Sequence, residues 1–401
     1  MLLGGSRHQV PAIETAKRLG YRTVLCDYLP DNPGQYVADV FYQESTTDRE
    51  LMLGIARKEG VEGVLSFGSD VAAPTASYIG EQLGLPCNPL ASVEVLSEKY
   101  LFRPYLADNG FNCPNSTSFS ADVSPREAVE KASGMRYPVV LKPTDSSGSR
   151  GVTVIDREDE GLYSGALDYA REFSRNGILE IEEFIEYGYP HLIGGDIYVE
   201  DGEVRFWGLM SCLRDAGLAA LVPVGKAYPS GLSEGQLAAV KSEVQKLVTS
   251  LGLKFGEMNV EVIIGKDGKP YVLELGGRAG GNMIPLQLKD ISGIDLVEAL
   301  VRHTMGDPAP SVRFDGGGNI IATSVLHARA TGRFVSVKYS DEVREHLYRE
   351  MVYVKPGEEV QKLNYGSKAI GVVFLRFQTE KEMWNVLNKI SDSIEVEVEP
   401  A

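Results

Sequence analysis

The segment Glu257-Met-Asn-Val-Glu-Val-Ile-Ile-Gly-Lys-Asp-Gly-Lys-Pro-Tyr-Val-Leu-Glu-Leu-Gly-Gly-Arg278 decides the fold. Both arms are rich in Val, Ile, Leu and Tyr, and Asp267-Gly268 between them is a strong turn signal, so the segment reads as a β-hairpin. A two-residue loop pairs Lys266 with Lys269, Ile264 with Tyr271 and Glu261 with Glu274. A four-residue loop keeps that register, and an odd-length loop breaks it by one. Directly opposed Cβ atoms lie roughly 4.5–5.5 Å apart, where like charges repel. A divalent cation held by both carboxylates would compensate; two solvent-facing glutamates that tolerate each other are the plainer alternative. Period-2 alternation puts Asn259 on the face of Glu261 and opposite Gly276, so its side chain can lean over the glycine towards the same cation. Arg278 follows in the loop Gly276-Gly-Arg-Ala-Gly-Gly281, where glycines permit close approach and an arginine can clamp an anion.

Upstream, the strand Pro138–Lys142 runs into Pro143-Thr-Asp-Ser-Ser-Gly-Ser-Arg-Gly151 and then into a second strand, Val152–Ile155. A hairpin tip of this composition can lay N–H groups and hydroxyls against phosphates, although no Gly-x-x-x-x-Gly-Lys-Ser/Thr occurs. Lys142 interrupts an apolar strand, which reads as a buried cation awaiting an anion, with an edge position as the alternative. Glu182-Glu183-Phe184-Ile185 ends another strand; it is either an ordinary strand end or a slot for a planar base. His191 lies in a glycine-containing loop and on its own reads as structural.

The 401 residues are 43% hydrophobic and 24% charged, ordinary for a soluble chain of two or three domains. A net charge of −16 argues against broad binding to nucleic acid or anionic membrane. No apolar run is long enough to cross a bilayer, and Met1-Leu-Leu-Gly-Gly enters a polar turn with no secretory leader. Cys26, Cys87, Cys113 and Cys212 are widely spaced and read as mostly buried, reduced thiols, which fits a cytoplasmic setting. The abrupt start at Met1 suggests a first strand trimmed at its outer end or a truncated chain.

Strand–helix alternation over the first ninety or so residues predicts a parallel sheet covered on both faces. Its Gly4-Gly5-Ser6 turn lacks Gly-x-Gly-x-x-Gly spacing, so a tight turn without a nucleotide is the better reading. Pro86–Ala91 reads as a linker, Ser97–Asn109 and Leu232–Leu251 as helices. The expected class is α/β. The expected domains are residues 1–95, 96–305 with a lid at roughly 115–185, and an α+β domain at 306–401.

In this order, Ser97-Glu-Lys-Tyr-Leu-Phe-Arg103, Tyr137-Pro-Val-Val-Leu-Lys142, the Gly/Ser loop, Glu182-Glu-Phe-Ile185, Asn259-Val-Glu261 and Glu274-Leu-Gly-Gly-Arg278 resemble the ATP-grasp superfamily. The carboxylate–amine ligases are nearest, including the L-amino-acid ligases; biotin carboxylase and the formate-using glycinamide ribonucleotide transformylase are more distant. The resemblance implies an ATP-grasp fold behind a Rossmann-like pre-domain. It also implies an enzyme that activates a carboxylate as an acyl phosphate, releases ADP and couples the acyl group to an amine. Lys99 and Lys142 would meet ATP, the loop of Ser146, Ser147, Gly148 and Gly151 would close over its phosphates, and Glu182, Glu183, Phe184 and Ile185 would hold adenine. His191 would approach the ribose or phosphates; Arg214 and Lys226 are weaker anion contacts. Glu261 and Glu274 would bind Mg²⁺, or Mn²⁺, and Arg278 would steady the acyl phosphate alongside Lys142 as catalytic groups. Many relatives carry Asn where this chain has Gly276, and Asn259 is the expected substitute ligand. Ser69, Asp70, Arg278 and Asn282 are expected near the substrates, and a homodimer is expected by analogy. Activation of bicarbonate or formate, and a nicotinamide-dependent oxidoreductase built on the first domain, are the alternatives.

Overall fold

A computed structural model describes residues 1–146, 148–215, 221–364 and 366–400, without the side chain of Ser367. Four short parallel strands, in the order Val40–Tyr42, Val24–Cys26, Leu2–Leu3, Leu65–Ser66, form the first sheet. Helices Val10–Arg18, Arg49–Glu59 and Ala73–Leu83 accompany them, as the alternation requires. The segment read as a linker is partly helical: Leu90–Ser97 precedes the expected helix, which spans Lys99–Asp108.

An antiparallel sheet of four strands, ordered Ser116–Ser120, Ile178–Glu183, Val139–Pro143, Thr153–Ile155, stands where the lid was expected. Facing it is an eight-stranded sheet. Its edge is the hairpin of Pro270–Gly276 and Gly256–Ile264, followed by Leu192–Glu200, Glu203–Arg214 and Pro223–Tyr228. It continues through Ile320–Leu326, Gly371–Phe377 and Leu347–Val352, so its hydrogen bonding runs through the expected boundary at 305/306. A three-stranded sheet, Glu359–Val360, Gly332–Tyr339 and Ile394–Glu399, completes the C-terminal part.

The hairpin shows how local sequence places the chemistry. Met258, Val260, Val262 and Ile264 pack into a core with Val240, Val244, Leu247 and Val248 of the helix Glu234–Ser250. Fully burying each such side chain contributes about 1.5–3 kcal/mol. The alternate residues Asn259, Glu261 and Ile263 then line the open cleft on the other face.

The opposed pairs are Glu261 with Glu274 and Asn259 with Gly276, as expected, but the turn is not the expected one. Gly268 N–H bonds Gly265 C=O and Gly265 N–H bonds Lys269 C=O, which leaves a three-residue loop with Gly268 at φ 77°. That odd loop pairs Ile263 with Tyr271 and Ile264 with Pro270, one residue off the expected register. An extra residue, Leu273, restores it through a bulge. Leu273 and Glu274 therefore both face the cleft, between the buried Val272 and Leu275. Without the bulge Glu274 would point into the core.

Gly195, in the strand beside the hairpin, has φ 140°, and a Cβ there would lie 2.0 Å from the carbonyl oxygen of Gly208. Gly195→Ala is expected to cost at least about 2 kcal/mol. Urea denaturation measures this, and an unchanged midpoint would contradict the strand packing.

Candidate active site

The two facing sheets enclose a cleft of about 570 Å³. One part is apolar, with Val140, Phe184, Ile185, Ile263 and Leu273 among its walls, and suits a planar ring. Glu261, Glu274, Asn259 and Arg278 line the cleft as well. So do the cations Lys99, Arg103, Lys142, Arg150, Arg214 and Lys226, a concentration of positive charge in a chain of net −16.

The buried lysine already has its anions. Lys142 Nζ lies 2.5 Å from Glu182 Oε1 and 3.3 Å from Glu180 Oε1. Arg103, 1% exposed, donates through Nε to Glu182 Oε2 at 2.7 Å and through Nη1 to the Leu273 carbonyl at 3.0 Å. Burial alone would raise the Glu182 carboxyl, but Arg103 and Lys142 outweigh it and hold it at about 2. Both Glu182 oxygens are thus engaged by protein. Glu180 is pushed up, first by burial and further by Glu182. Arg103 also carries a buried Nη2 with no hydrogen-bond partner.

The loop around residues 146–151 is pinned from several sides. Lys99 Nζ bonds the Ser146 carbonyl at 2.9 Å, Ser149 Oγ bonds the Leu221 carbonyl at 3.0 Å, and Gly366 N–H bonds the Gly148 carbonyl at 3.2 Å. Gly148, Ser149 and Gly151 have φ of 69°, 61° and 73°, a run that can turn successive N–H groups to one side as an anion-binding concavity. Ser146 and Gly148 line the cleft, whereas Gly151 packs against Pro143, with 2.7 Å between a notional Cβ and Pro143 Cγ. The expected contact at Ser147 lies outside the described residues.

At the strand end, Glu183 N–H goes to the Asn115 carbonyl and Phe184 N–H to the Pro138 carbonyl. Glu183 and Ile185 line the cleft. His191 does not line it: the ring stacks on Trp384, with centroids 5.5 Å apart. Arg214 and Lys226 do, and Arg214 has a buried Nη1 without a hydrogen-bond partner.

The acidic couple stands on a stiff base. Burial raises the Glu274 carboxyl, and Asp70 and Glu261 add to the rise against the opposing charges of Lys99 and Arg278. Arg278 is clamped by Asp70, Nε to Oδ1 at 2.7 Å and Nη2 to Oδ2 at 2.6 Å, a bidentate tie between the first sheet's loops and the hairpin. That pair also explains Gly276: a Cβ there would sit 3.0 Å from Asp70 Oδ1 and 3.4 Å from Arg278 Cζ. Asn259 Nδ2 donates to the Gly195 carbonyl and to Asp196 Oδ1, which turns its amide nitrogen away into the sheet.

Among the described residues no group of three His, Cys, Asp or Glu side chains could hold a metal ion. Two opposed carboxylates beside a cationic cleft nevertheless fit magnesium, which usually takes one or two carboxylates and completes its shell with phosphate oxygens and water. The first-domain turn offers a dinucleotide no such room. A Cβ on Gly4 would lie 2.1 Å from Gln9 Nε2 and one on Gly5 2.0 Å from Asn32 Oδ1, while Gly5 N–H is taken by Asp27.

A family model described as the carbamoyl-phosphate synthase L chain ATP-binding domain matches residues 98–311, over half of the chain. The chain belongs to this ATP-grasp family. It is 28% identical over 306 residues to the carbamoyl phosphate synthase large chain of Clostridium beijerinckii, covering 74% of this chain and 27% of that one. It therefore spans about a quarter of the length of the curated relatives that it matches. The L-amino acid ligase of Bacillus licheniformis shares the fold with a TM-score of 0.81 at 20% identity, over 99% of this chain and 98% of that one. The biotin carboxylase domain of Hydrogenobacter thermophilus 2-oxoglutarate carboxylase, crystallised as a dimer with MgADP, ADP and bicarbonate, has a TM-score of 0.72 at 18% identity, over 99% and 90%. No helix among the described residues is long and apolar enough to cross a membrane.

Arg103, Asp196 and Glu257 were not singled out from the ATP-grasp sequence. Arg103 had a signal: it stands between Phe102 and Leu106 on a buried helix face, where a charge needs partners. Asp196 and Glu257 lie behind Asn259 and show only in three dimensions. Burial raises the Asp196 carboxyl, and the hydrogen bonds that Oδ2 accepts from Gly280 N–H at 2.8 Å and Oδ1 from Asn259 oppose that rise without overcoming it. Burial, reinforced by Asp196, pushes Glu257 well above the usual carboxylate range.

Removing Arg103 would leave Glu182 Oε2 without its donor and Lys142 to balance two buried carboxylates. Arg103→Ala is expected to cost about 3–5 kcal/mol; a loss below 1 kcal/mol in denaturant titration would contradict the network. Glu257 binds a proton in the folded chain over a pH range where the unfolded chain has released it. Its contribution to stability therefore declines above the ordinary glutamate pKa, about 4.3, and is lost as pH rises through the raised folded value. Glu257→Gln should flatten the alkaline fall of stability relative to wild type. Parallel curves for the two proteins would refute a protonated Glu257.

Proposed function

We propose that the chain is an ADP-forming carboxylate–amine ligase that uses MgATP. The observation that carries the reading is the opposed Glu261–Glu274 couple, turned by the Leu273 bulge into a cleft that also holds an apolar slot and a row of cations. Adenine would enter between the sheets at Val140, Phe184, Ile185 and Leu273. The N–H groups around Gly148 and the side chains of Lys99 and Arg214 would meet the phosphates. Lys142 would contribute field through its bridge to Glu182 as well as by contact.

Glu261, Glu274 and the side-chain oxygen of Asn259 would hold Mg²⁺, which neutralises charge on the phosphoryl group in flight. The substrate carboxylate displaces ADP from the γ-phosphorus, giving an acyl phosphate. An amine then attacks the acyl carbon and phosphate leaves. Positioning and charge neutralisation supply most of what such steps need. Arg278, held rigid by Asp70, would steady the acyl phosphate, and Asn282, at φ 51°, lines the same wall. A homodimer is part of this reading.

Bicarbonate activation is the second reading, favoured by the fold match to a domain crystallised with MgADP and bicarbonate. An ADP-release screen over pairs of carboxylates and amines separates the two. Release that needs both partners supports ligation; release on bicarbonate alone supports the alternative; AMP and pyrophosphate would reject both. Glu261→Gln and Glu274→Gln are each expected to lower the rate at least about 10²-fold. Asn259→Ala is expected to weaken the Mg²⁺ dependence, and unchanged Mg²⁺ affinity would remove it from the ligand set.

A further inference from the structure

In the eight-stranded sheet Cys212 stands directly opposite Lys226 on the neighbouring strand. Lys226 Nζ lies 2.7 Å from Cys212 Sγ. That length is ordinary for an N–H···O bond, but sulfur is larger than oxygen and hydrogen bonds to it run longer. The separation is close to the span of two single bonds that meet at one bridging oxygen. Both residues are buried, Cys212 at 0% and Lys226 at 7% exposure, and this ammonium donates to sulfur where a carboxylate would be usual. Gly194, paired with Glu261 on the next strand, makes the room: a Cβ there would lie 2.6 Å from Sγ and 3.0 Å from Nζ. Lys226 lines the cleft, so a small oxidant that enters the cleft approaches the pair from the lysine side.

We propose that Cys212 and Lys226 are an oxidative modification site, at which one oxygen atom joins Sγ to Nζ and withdraws the lysine charge from the cleft. Hydrogen peroxide serves as oxidant. The thiol, the neutral amine and two peroxides give the S–O–N bridge and three waters. One S–H, one N–H and two O–O bonds break, the S–O and O–N bonds form, and the ammonium proton goes to solvent beforehand. Sulfur and nitrogen are oxidised while the peroxide oxygens are reduced. Two equivalents of a dithiol return the thiol, the amine and one water, which places the bridge on the reversible side of cysteine oxidation. The bridge stands on this geometry alone; its effect on turnover rests on the proposed ligase reading.

The test uses the full chain, reduced, exchanged into reductant-free buffer and exposed to hydrogen peroxide. Peptide mass spectrometry is expected to find Cys212 and Lys226 linked, with one oxygen gained and two hydrogens lost. ADP release should fall about 10²-fold and return with dithiothreitol. Cys212→Ser should give no linked pair and keep its rate under peroxide. A sulfinate on Cys212 with Lys226 unlinked, or oxidation confined to Cys26, Cys87 or Cys113, would overturn the bridge. A linked protein with undiminished turnover would overturn its blocking effect. Reduced wild type that releases no ADP with any substrate pair would defeat the ligase reading, while the linked peptide would still decide the bridge.

Discussion

Two carboxylates on one face of an antiparallel pair repel each other, and the repulsion grows as water is withdrawn. The rest of this structure is arranged around keeping Glu261 and Glu274 there. The helix Glu234–Ser250 fixes the face of one strand through its core contacts, and the Leu273 bulge fixes the face of the other. Arg278, tied to Asp70, and Lys99 stand near enough to offset part of the negative charge without cancelling it. What remains is an unbalanced acidic site beside a cationic cleft, the field in which a dication with polyanionic oxygens is most stable.

The buried ions follow the same logic. Lys142, Arg103, Glu180 and Glu182 lie in the four-stranded antiparallel sheet and its neighbouring helix, and each charge has an opposite charge beside it. Such a network contributes little net stability over a packed apolar core, but it is costly to break. Its effect is positional. Arg103 reaches from helix Lys99–Asp108 to Glu182 on the four-stranded sheet and to the Leu273 carbonyl on the hairpin, linking three elements that wall the cleft. It holds the bulge and that sheet to one another.

Much of this was legible in the residues. Hydrophobic alternation in Met258–Ile264 fixed which side chains face the cleft, and the first sheet followed from its strand–helix rhythm. The acidic pairing was right for an incomplete reason: an odd turn and a bulge cancel, and a bulge leaves no local mark in Val272-Leu273-Glu274. The strands Leu192–Glu200, Glu203–Arg214 and Pro223–Tyr228 were missed because, buried on both faces over much of their length, they mix Gly, Cys and charged residues without a period. Lys142 was read correctly as buried, but its counter-ions lie on a strand some forty residues away and only the fold brings them together. His191 turned to Trp384, a partner from the far end of the chain.

The family is set by the match over residues 98–311, and the geometry narrows what the cleft can do. The central claim is that Glu261 and Glu274 hold the cation that ATP brings. Calorimetric titration of ATP with and without Mg²⁺, on wild type and on the Glu261→Gln/Glu274→Gln double variant, tests it most directly. Mg²⁺ is expected to tighten ATP binding in wild type and to have no such effect in the variant. Equal Mg²⁺ dependence in both proteins would contradict it.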